Sequence, residues 1–380
     1  MTFLGSCTDP TVPAILDTSP CDVPWWLPGS NLQTIYGALV ARTHRLRFIR
    51  QRVDTPDGDF LDFDWSAPGM VANPVSADAS SDVARDEAIP GSGAAARWMS
   101  EKDERLLDST SDTPGLVLLH GLEGSSASRY AQSITQHFRA RGWVVVIAHF
   151  RGCSGAPNRL ARAYYSGDAE EVRFILSTVR AQAPGVRWHA VGVSLGGNAL
   201  LKSLGEAPAE QSWLSAAAGI SVPLDLVACG KHLSQNKFNR WVYTRHFLRT
   251  LKTKVMDKAR LFPGAIDVVR VSHAKDLQDF DDAYTAPMHG FRDALDYWAQ
   301  SSSKPWLSHI QTPTLVLNAR NDPFIPEPSL PGPDQASSSV VLHQPGQGGH
   351  AGFVTGTFPG HLNWLPHRLG RFFEQSGGLR

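Results

Sequence analysis

The chain has 380 residues, 42% of them hydrophobic, enough for a large buried core, whether in one α/β unit with insertions or in two domains. Its 36 Lys and Arg balance 36 Asp and Glu, so the formal charge is zero and nothing favours nucleic acid as a partner. The four cysteines, Cys7, Cys21, Cys153 and Cys229, form no CxxC and no ligand-like spacing with histidine, which argues against a structural zinc site and gives no sign of a disulfide framework. No metal and no cofactor are expected, and a reducing compartment fits.

Residues 1–42 read as an N-terminal arm. Its first twenty residues hold Asp9, Asp17 and three prolines but no basic region followed by an apolar core, so no signal peptide is expected. No apolar run in the chain approaches the roughly 18 residues of a membrane span, and a cytoplasmic location is the expectation. Pro24-Trp25-Trp26-Leu27-Pro28 leads into Asn31-Leu32-Gln33-Thr34-Ile35-Tyr36, an aromatic entry expected to pack on the main body and assigned no chemistry.

Residues 43–68 predict a β-hairpin of the core. Leu46 and Phe48 alternate with arginines, Thr55-Pro56-Asp57-Gly58-Asp59 supplies the turn, and Leu61, Phe63 and Trp65 alternate with Asp62 and Asp64. Residues 69–112 shift to Ala, Ser and Asp with little periodicity, which reads as a low-complexity surface insertion, partly disordered.

Residues 113–222 and 291–380 then alternate strands with helices. Continuous apolar runs suited to strands buried on both faces cover 115–120, 143–148, 188–193, 216–222 and 314–319, and 339–343 suits a last one. Helices are predicted over 128–141, from Ser166-Gly167-Asp168 with Glu170 and Glu171 in the first turn, and over 198–204. This order implies a mostly parallel twisted sheet with helices on both faces. Ligands gather at the carboxyl ends of such strands.

One stretch fits that place. In Val191-Gly192-Val193-Ser194-Leu195-Gly196-Gly197-Asn198 a serine stands between a strand and a helix, with Gly192 and Gly196 two positions away on either side. This is the pattern of a nucleophile elbow, whose sharp turn needs small neighbours. Asp322, in Asn321-Asp322-Pro323, follows the strand over 314–319. His350, in Gly348-Gly349-His350-Ala351-Gly352-Phe353, follows the strand over 339–343. The chain order Ser, Asp, His is that of α/β-hydrolases.

The residue types match acyl transfer. A serine hydroxyl is a weak nucleophile, so His350 is expected to take its proton and Asp322 to fix the imidazole. The oxyanion then needs donors, for which the backbone N–H groups of Leu195 and of Leu122, after His120-Gly121, are the candidates. His343 rivals His350 but falls within a strand-like run. Cys153, in Arg151-Gly152-Cys153-Ser154-Gly155, has no base marked by spacing and reads as a small buried thiol.

Together these motifs resemble the YheT-like branch of the α/β-hydrolases, bacterial relatives of mammalian α/β-hydrolase-domain lipases that act on acylglycerols and phospholipids. The resemblance rests on Leu32-Gln33-Thr34, His120-Gly121-Leu122-Glu123-Gly124, Phe150-Arg151-Gly152-Cys153-Ser154-Gly155, Gly192 to Asn198, Asn318 to Phe324 and Gly348 to Phe353. It implies Ser194, Asp322 and His350 as the family's serine, acid and histidine. Asn321 departs from the Asp-Asp-Pro of many relatives, while the acid before the proline is kept. Residues 69–112 have no counterpart.

Residues 223–290 read as a helical cap. Phe238, Trp241, Val242, Leu248, Leu251 and Val255 recur at near-helical spacing, with Lys237, Arg240, Arg245, Arg249, Lys252 and Lys254 on much of the rest. A solvated basic face is the ordinary reading; the functional one is peripheral contact with anionic lipid headgroups. The expected function is a serine carboxylesterase or lipase-like acyl hydrolase acting on a small-molecule or lipid acyl ester, with no obligate protein partner evident. The alternatives are acyl transfer to an alcohol by the same triad and a lipid carrier with an idle triad.

Overall fold

The computed structural model describes residues 13–71 and 94–377. Ten strands form one sheet: β1 (Ile15–Asp17), β2 (Phe48–Asp54), β3 (Phe60–Ser66), β4 (Ala95–Trp98), β5 (Pro114–Leu119), β6 (Val144–His149), β7 (Arg187–Val193), β8 (Ala216–Ile220), β9 (Thr314–Leu317) and β10 (Val340–His343). Their spatial order is β1-β10-β9-β8-β7-β5-β6-β3-β2-β4. Every pairing is parallel except those of β3 with β6 and β2.

The period-2 alternation of the strands sorts their side chains into two cores. On one face Val117, Leu119, Val146, Ala190 and Val316 pack with Val172, Ile175 and Val179 of helix Ala169–Gln182 and with Leu200, Leu201 and Leu204 of helix Leu195–Glu206. On the other, Leu116, Leu118, Val145, Ile147, Val191 and Leu315 pack with Ile134 and Phe138 of helix Arg129–Arg139 and with Leu369, Phe372 and Phe373 of helix Trp364–Gly377. The run Ala216-Ala217-Ala218-Gly219 in β8 keeps side chains short where helix Leu195–Glu206 crosses. A Cβ on Gly219 would stand 2.8 Å from Leu201 Cδ1.

Both ends of the sheet differ from the reading of the sequence. At one edge the N-terminal arm supplies β1, which pairs with β10. At the other, the second half of the supposed insertion is ordered: β4 pairs with β2, and Leu107 of helix Glu101–Asp108 is fully buried. That helix starts at Ser100 with Asp103 closing a capping box and Arg97 gripping the Asp103 carboxylate at 2.6 and 2.8 Å. Only eight residues long, it carries too few apolar positions to announce itself by periodicity. Residues 72–93, the remainder of the insertion apart from its first residues, lie outside the described residues.

β3 is covered on both faces, and β2 over its first three residues. Asp64 is fully buried, held by Arg50 at 2.7 and 2.8 Å, by Ser126 Oγ at 2.5 Å and by His149 Nε2 at 2.8 Å. Burial opposes its charge, but His149 and Arg50 outweigh it and keep the carboxyl well below its usual range. Through Ser126 this ion cluster anchors the loop that follows β5.

Between β8 and β9 the chain leaves the sheet as short helices. The longest, Arg245–Leu261, is preceded by a π turn over Arg240–Thr244. A π turn winds wider than the α-helix on either side of it and rotates the flanking faces relative to each other. Leu248 and Val255 after it are accordingly buried, whereas Phe238 and Trp241, expected on the same stripe, are exposed. Among the described residues no helix is long and apolar enough to cross a membrane.

Candidate active site

Ser194 directly follows β7 and precedes helix Leu195–Glu206, at φ 52° and ψ −119°. That backbone conformation is unfavourable for a residue with a side chain and is kept only where the surroundings enforce it. Here they do. The Ser194 N–H donates to Ile220 O at 2.8 Å, and Asn198 locks the helix by donating to Ser166 O and Ser301 O, both at 2.8 Å. The glycines of the elbow are sterically obligatory: a Cβ on Gly192 would lie 2.5 Å from Gly196 O, and one on Gly196 2.4 Å from His120 O.

Asp322 and His350 come together from successive loops. His350 Nδ1 lies 2.8 Å from Asp322 Oδ2. Because a carboxylate only accepts, the Nδ1–H donates and Nε2 of the neutral ring is left as an acceptor. Asp322 is buried and its other oxygen accepts from Phe324 N at 2.8 Å, while the Phe324 ring lies 4.2 Å from the imidazole centroid. Ser194 and His350 line the same cavity, although no hydrogen bond joins them among the described residues. Such bonds often tighten only when substrate is present.

The loop after β5 crosses in front of the serine. A Cβ on Gly121 would stand 3.1 Å from Ser194 Cβ and 3.8 Å from its Oγ. His120, fully buried, sets the next peptide plane. Phe150 N donates to its Nε2 at 3.1 Å, so its Nδ1 carries the proton and donates to Gly121 O at 2.8 Å. Gly124 N donates to the same carbonyl at 2.9 Å. In a trans peptide the next N–H points opposite to that carbonyl, which turns the Leu122 N–H away from His120, and Leu122 itself lines the cavity over Ser194. Burial, with His149 beside it, pushes the His120 pKa down to about 3, so the ring stays neutral. The Leu195 N–H opens its helix, where no intrahelical acceptor exists. Leu122 and Leu195 both line the cavity that Ser194 lines.

The arm to which the sequence assigned no chemistry shapes the histidine loop. From helix Ser30–Leu39, Thr34 Oγ1 accepts from His350 N at 2.9 Å. Gln33 Oε1 accepts from Gly348 N at 3.2 Å and Asn321 Nδ2 at 3.0 Å, and Asn321 Oδ1 accepts from Gly349 N at 3.1 Å. The Asn321 departure thus serves as a bridge between the acid loop, the histidine loop and the arm. Nothing at short range marks Gln33 or Thr34 for this; Leu32-Gln33-Thr34 standing among the family-like motifs is the available signal.

Two rivals take structural places. His343, at the end of β10, accepts from Arg368 Nε at 3.0 Å and through Nε2 meets Ser19 O at 2.9 Å. Cys153 is buried and its thiol pushed up to about 11 by burial, so it is not a thiolate. Among the described residues no cluster of His, Cys, Asp or Glu is arranged to hold a metal ion.

The cavity over Ser194 has a volume of about 1090 Å³. Leu226, Leu233, Phe280, Tyr284 and Trp298 line much of it, together with Glu123 and Lys254. Lys254 is exposed, as a solvated basic face implies, yet its Nζ reaches Glu123 Oε1 at 2.9 Å, and Tyr164 OH donates to the same oxygen at 2.9 Å and accepts from Glu123 N at 3.0 Å. Loss of solvent works against the ammonium, but the Glu123 carboxylate beside it outweighs that and raises its pKa. One ion pair therefore ties the cap helix to the loop in front of Ser194.

A parallel sheet with a left-handed serine at a strand-to-helix elbow, faced by an acid and a histidine from later loops, defines an α/β-hydrolase of the esterase and lipase type. The family model described as alpha/beta hydrolase fold matches residues 114–357. The chain belongs to this family, in its YheT-like branch: it is 34% identical over 341 residues to "Putative esterase YheT" of Escherichia coli (strain K12), covering 89% of this chain and 88% of that protein. "Phospholipase ABHD3" of Mus musculus is 29% identical over 279 residues, 73% of this chain and 67% of that one. Among solved structures, the α/β hydrolase GrgF from Penicillium sp. sh18 shares the fold, with a TM-score of 0.51 at 13% identity, over 88% of this chain and 100% of that one.

Proposed function

We propose that this protein is a serine carboxylic-ester hydrolase of the carboxylesterase and lipase class, working through an acyl-enzyme on Ser194. The observation that carries this reading is that Ser194, Leu122, Leu195 and His350, the last paired with Asp322, meet at one cavity. In the reaction His350 Nε2 takes the Ser194 proton as Oγ adds to the ester carbonyl carbon. The carbonyl oxygen becomes an oxyanion between the two N–H groups, and Asp322 holds the imidazolium. Collapse breaks the bond to the alcohol, which leaves with the proton from His350. Water then adds to the acyl group by the same route and frees the acid.

A cavity at the upper end of the usual range for ligand sites, lined largely by apolar side chains, favours a lipid acyl ester as substrate. The phospholipase name of the mouse relative is consistent with that. Cys21, Cys153 and Cys229 as buried free thiols suit a reducing compartment, and we assign the enzyme to the cytoplasm. Ser194→Ala should abolish both p-nitrophenyl ester turnover and fluorophosphonate labelling; retention of either refutes the reading. Ethyl esters formed in the presence of ethanol would instead make the protein an acyltransferase, and stoichiometric lipid binding without turnover would make it a carrier.

A further inference from the structure

A second concave site lies on the cap, apart from the cavity over Ser194. Its volume is about 520 Å³, and Lys237, Arg240, Arg245, Arg249, Lys252 and Lys275 line it with no carboxylate among them. Lys252 is engaged structurally, donating to Ser272 O at 2.8 Å and Ala274 O at 2.6 Å. The other five make no ion pair among the described residues, in a chain whose formal charge is zero. Residues 237–261 contain eight Lys and Arg and a single acid, Asp257. Six cations gathered in one concavity repel each other, and a bound anion relieves that repulsion.

The apolar surroundings select among anions. Trp241 lines the groove and is 71% exposed; Phe238, three residues earlier, is 47% exposed. A large aromatic beside a row of cations is the composition of helices that rest in a bilayer interface, ring among the headgroups and cations against their phosphates. A duplex or an acidic protein would satisfy the cations but leave Trp241 and Phe238 in water.

We propose that this groove is a docking site for the surface of an anionic phospholipid bilayer, with headgroup phosphates between Arg240, Arg245 and Arg249 and Trp241 in the interface. The docking requires no turnover, so it is tested on Ser194→Ala protein and stands or falls independently of the hydrolase reading. The probes are phosphatidylcholine vesicles with and without phosphatidylglycerol, read by sedimentation. Expected are binding to the phosphatidylglycerol vesicles alone, weakening as sodium chloride screens the charges, and a loss of about fivefold in partitioning per cation removed, hence about a hundredfold for the combined Arg240→Gln, Arg245→Gln, Arg249→Gln variant. Trp241→Ala should weaken binding without changing its salt slope. An unchanged melting temperature certifies the fold of each variant, and the salt titration of the parent protein needs no variant. Equal binding to both vesicle types, salt-independent binding, or retention by the triple variant would overturn the proposal. Release from vesicles by millimolar glycerol phosphate would overturn it in favour of a soluble anion site, and tighter binding to duplex DNA would give the groove another occupant.

Discussion

Replacing His120 by leucine separates the positioning of the oxyanion donor from the rest of the site. The substitution keeps an apolar side chain of similar bulk beside Phe150, whose ring lies 4.9 Å from the imidazole centroid. It removes two hydrogen bonds. Phe150 N, in a residue 1% exposed, loses its acceptor, an uncompensated burial that costs about 1–3 kcal/mol of stability and lowers the melting temperature by about 1–4 °C. Gly121 O loses the Nδ1–H and keeps only Gly124 N, so the plane that aims the Leu122 N–H is free to tilt. A lost oxyanion donor costs about 3 kcal/mol of transition-state stabilisation, and with one tether remaining kcat should fall about a hundredfold while KM stays within about threefold. Steady-state hydrolysis of p-nitrophenyl butyrate measures both. A kcat within about threefold of the parent, or a loss confined to KM, would refute the orienting role of His120.

Three further outcomes follow from the same geometry. Asp322→Asn keeps the shape of the site but offers an amide where the imidazole N–H needs an acceptor, so kcat should drop by about 10⁴ with the fold intact by circular dichroism. Lys254→Met removes the tie between cap and oxyanion loop; kcat should fall about tenfold, and the double variant Glu123→Lys, Lys254→Glu should recover part of it in the same assay if the ion pair itself is responsible. Stability should fall in mild acid. Burial holds His120 at about 3 and His189 at about 4 in the fold, whereas the unfolded chain takes up those protons below about 6.5. Their contribution is complete above that pH and is lost as pH drops toward 4, by about 4 kcal/mol for the pair between pH 7 and 5. Coincident urea midpoints at those two pH values would contradict it.

What the sequence makes legible follows the range of the forces involved. β5, β6 and β7 read correctly because strands buried on both faces are continuous apolar runs, and the run ends where Ser194 begins. Gly192 and Gly196 announce the elbow because a backbone approach of 2.5 Å admits no other residue type. The contributions of Gln33, Thr34 and Asn321 stay hidden because polar side chains that bond across about three hundred residues leave no local period. Asp64 misleads for a related reason: alternation with Phe63 and Trp65 suggests a wet face, and only the arrival of Arg50, Ser126 and His149 makes that face an interior. Phe238 and Trp241 show the limit of helical spacing, since the π turn over Arg240–Thr244 shifts the stripe they begin away from the one that Leu248 and Val255 bury.

The grip of Thr34 on the His350 loop also orders events in time. The two residues are 316 positions apart, so during synthesis the arm emerges long before the segment it must hold. A nascent chain that has completed β7 already owns its elbow serine but has neither the imidazole nor the platform that fixes its loop. Full assembly waits for the last strand to close against β1 and for the arm to settle beside it. Competence of the site thus waits for both the arm and the His350 loop, and a cut between Leu39 and Phe48, which leaves the arm held only by β1 and its side-chain contacts, should weaken the site well before it unfolds the core.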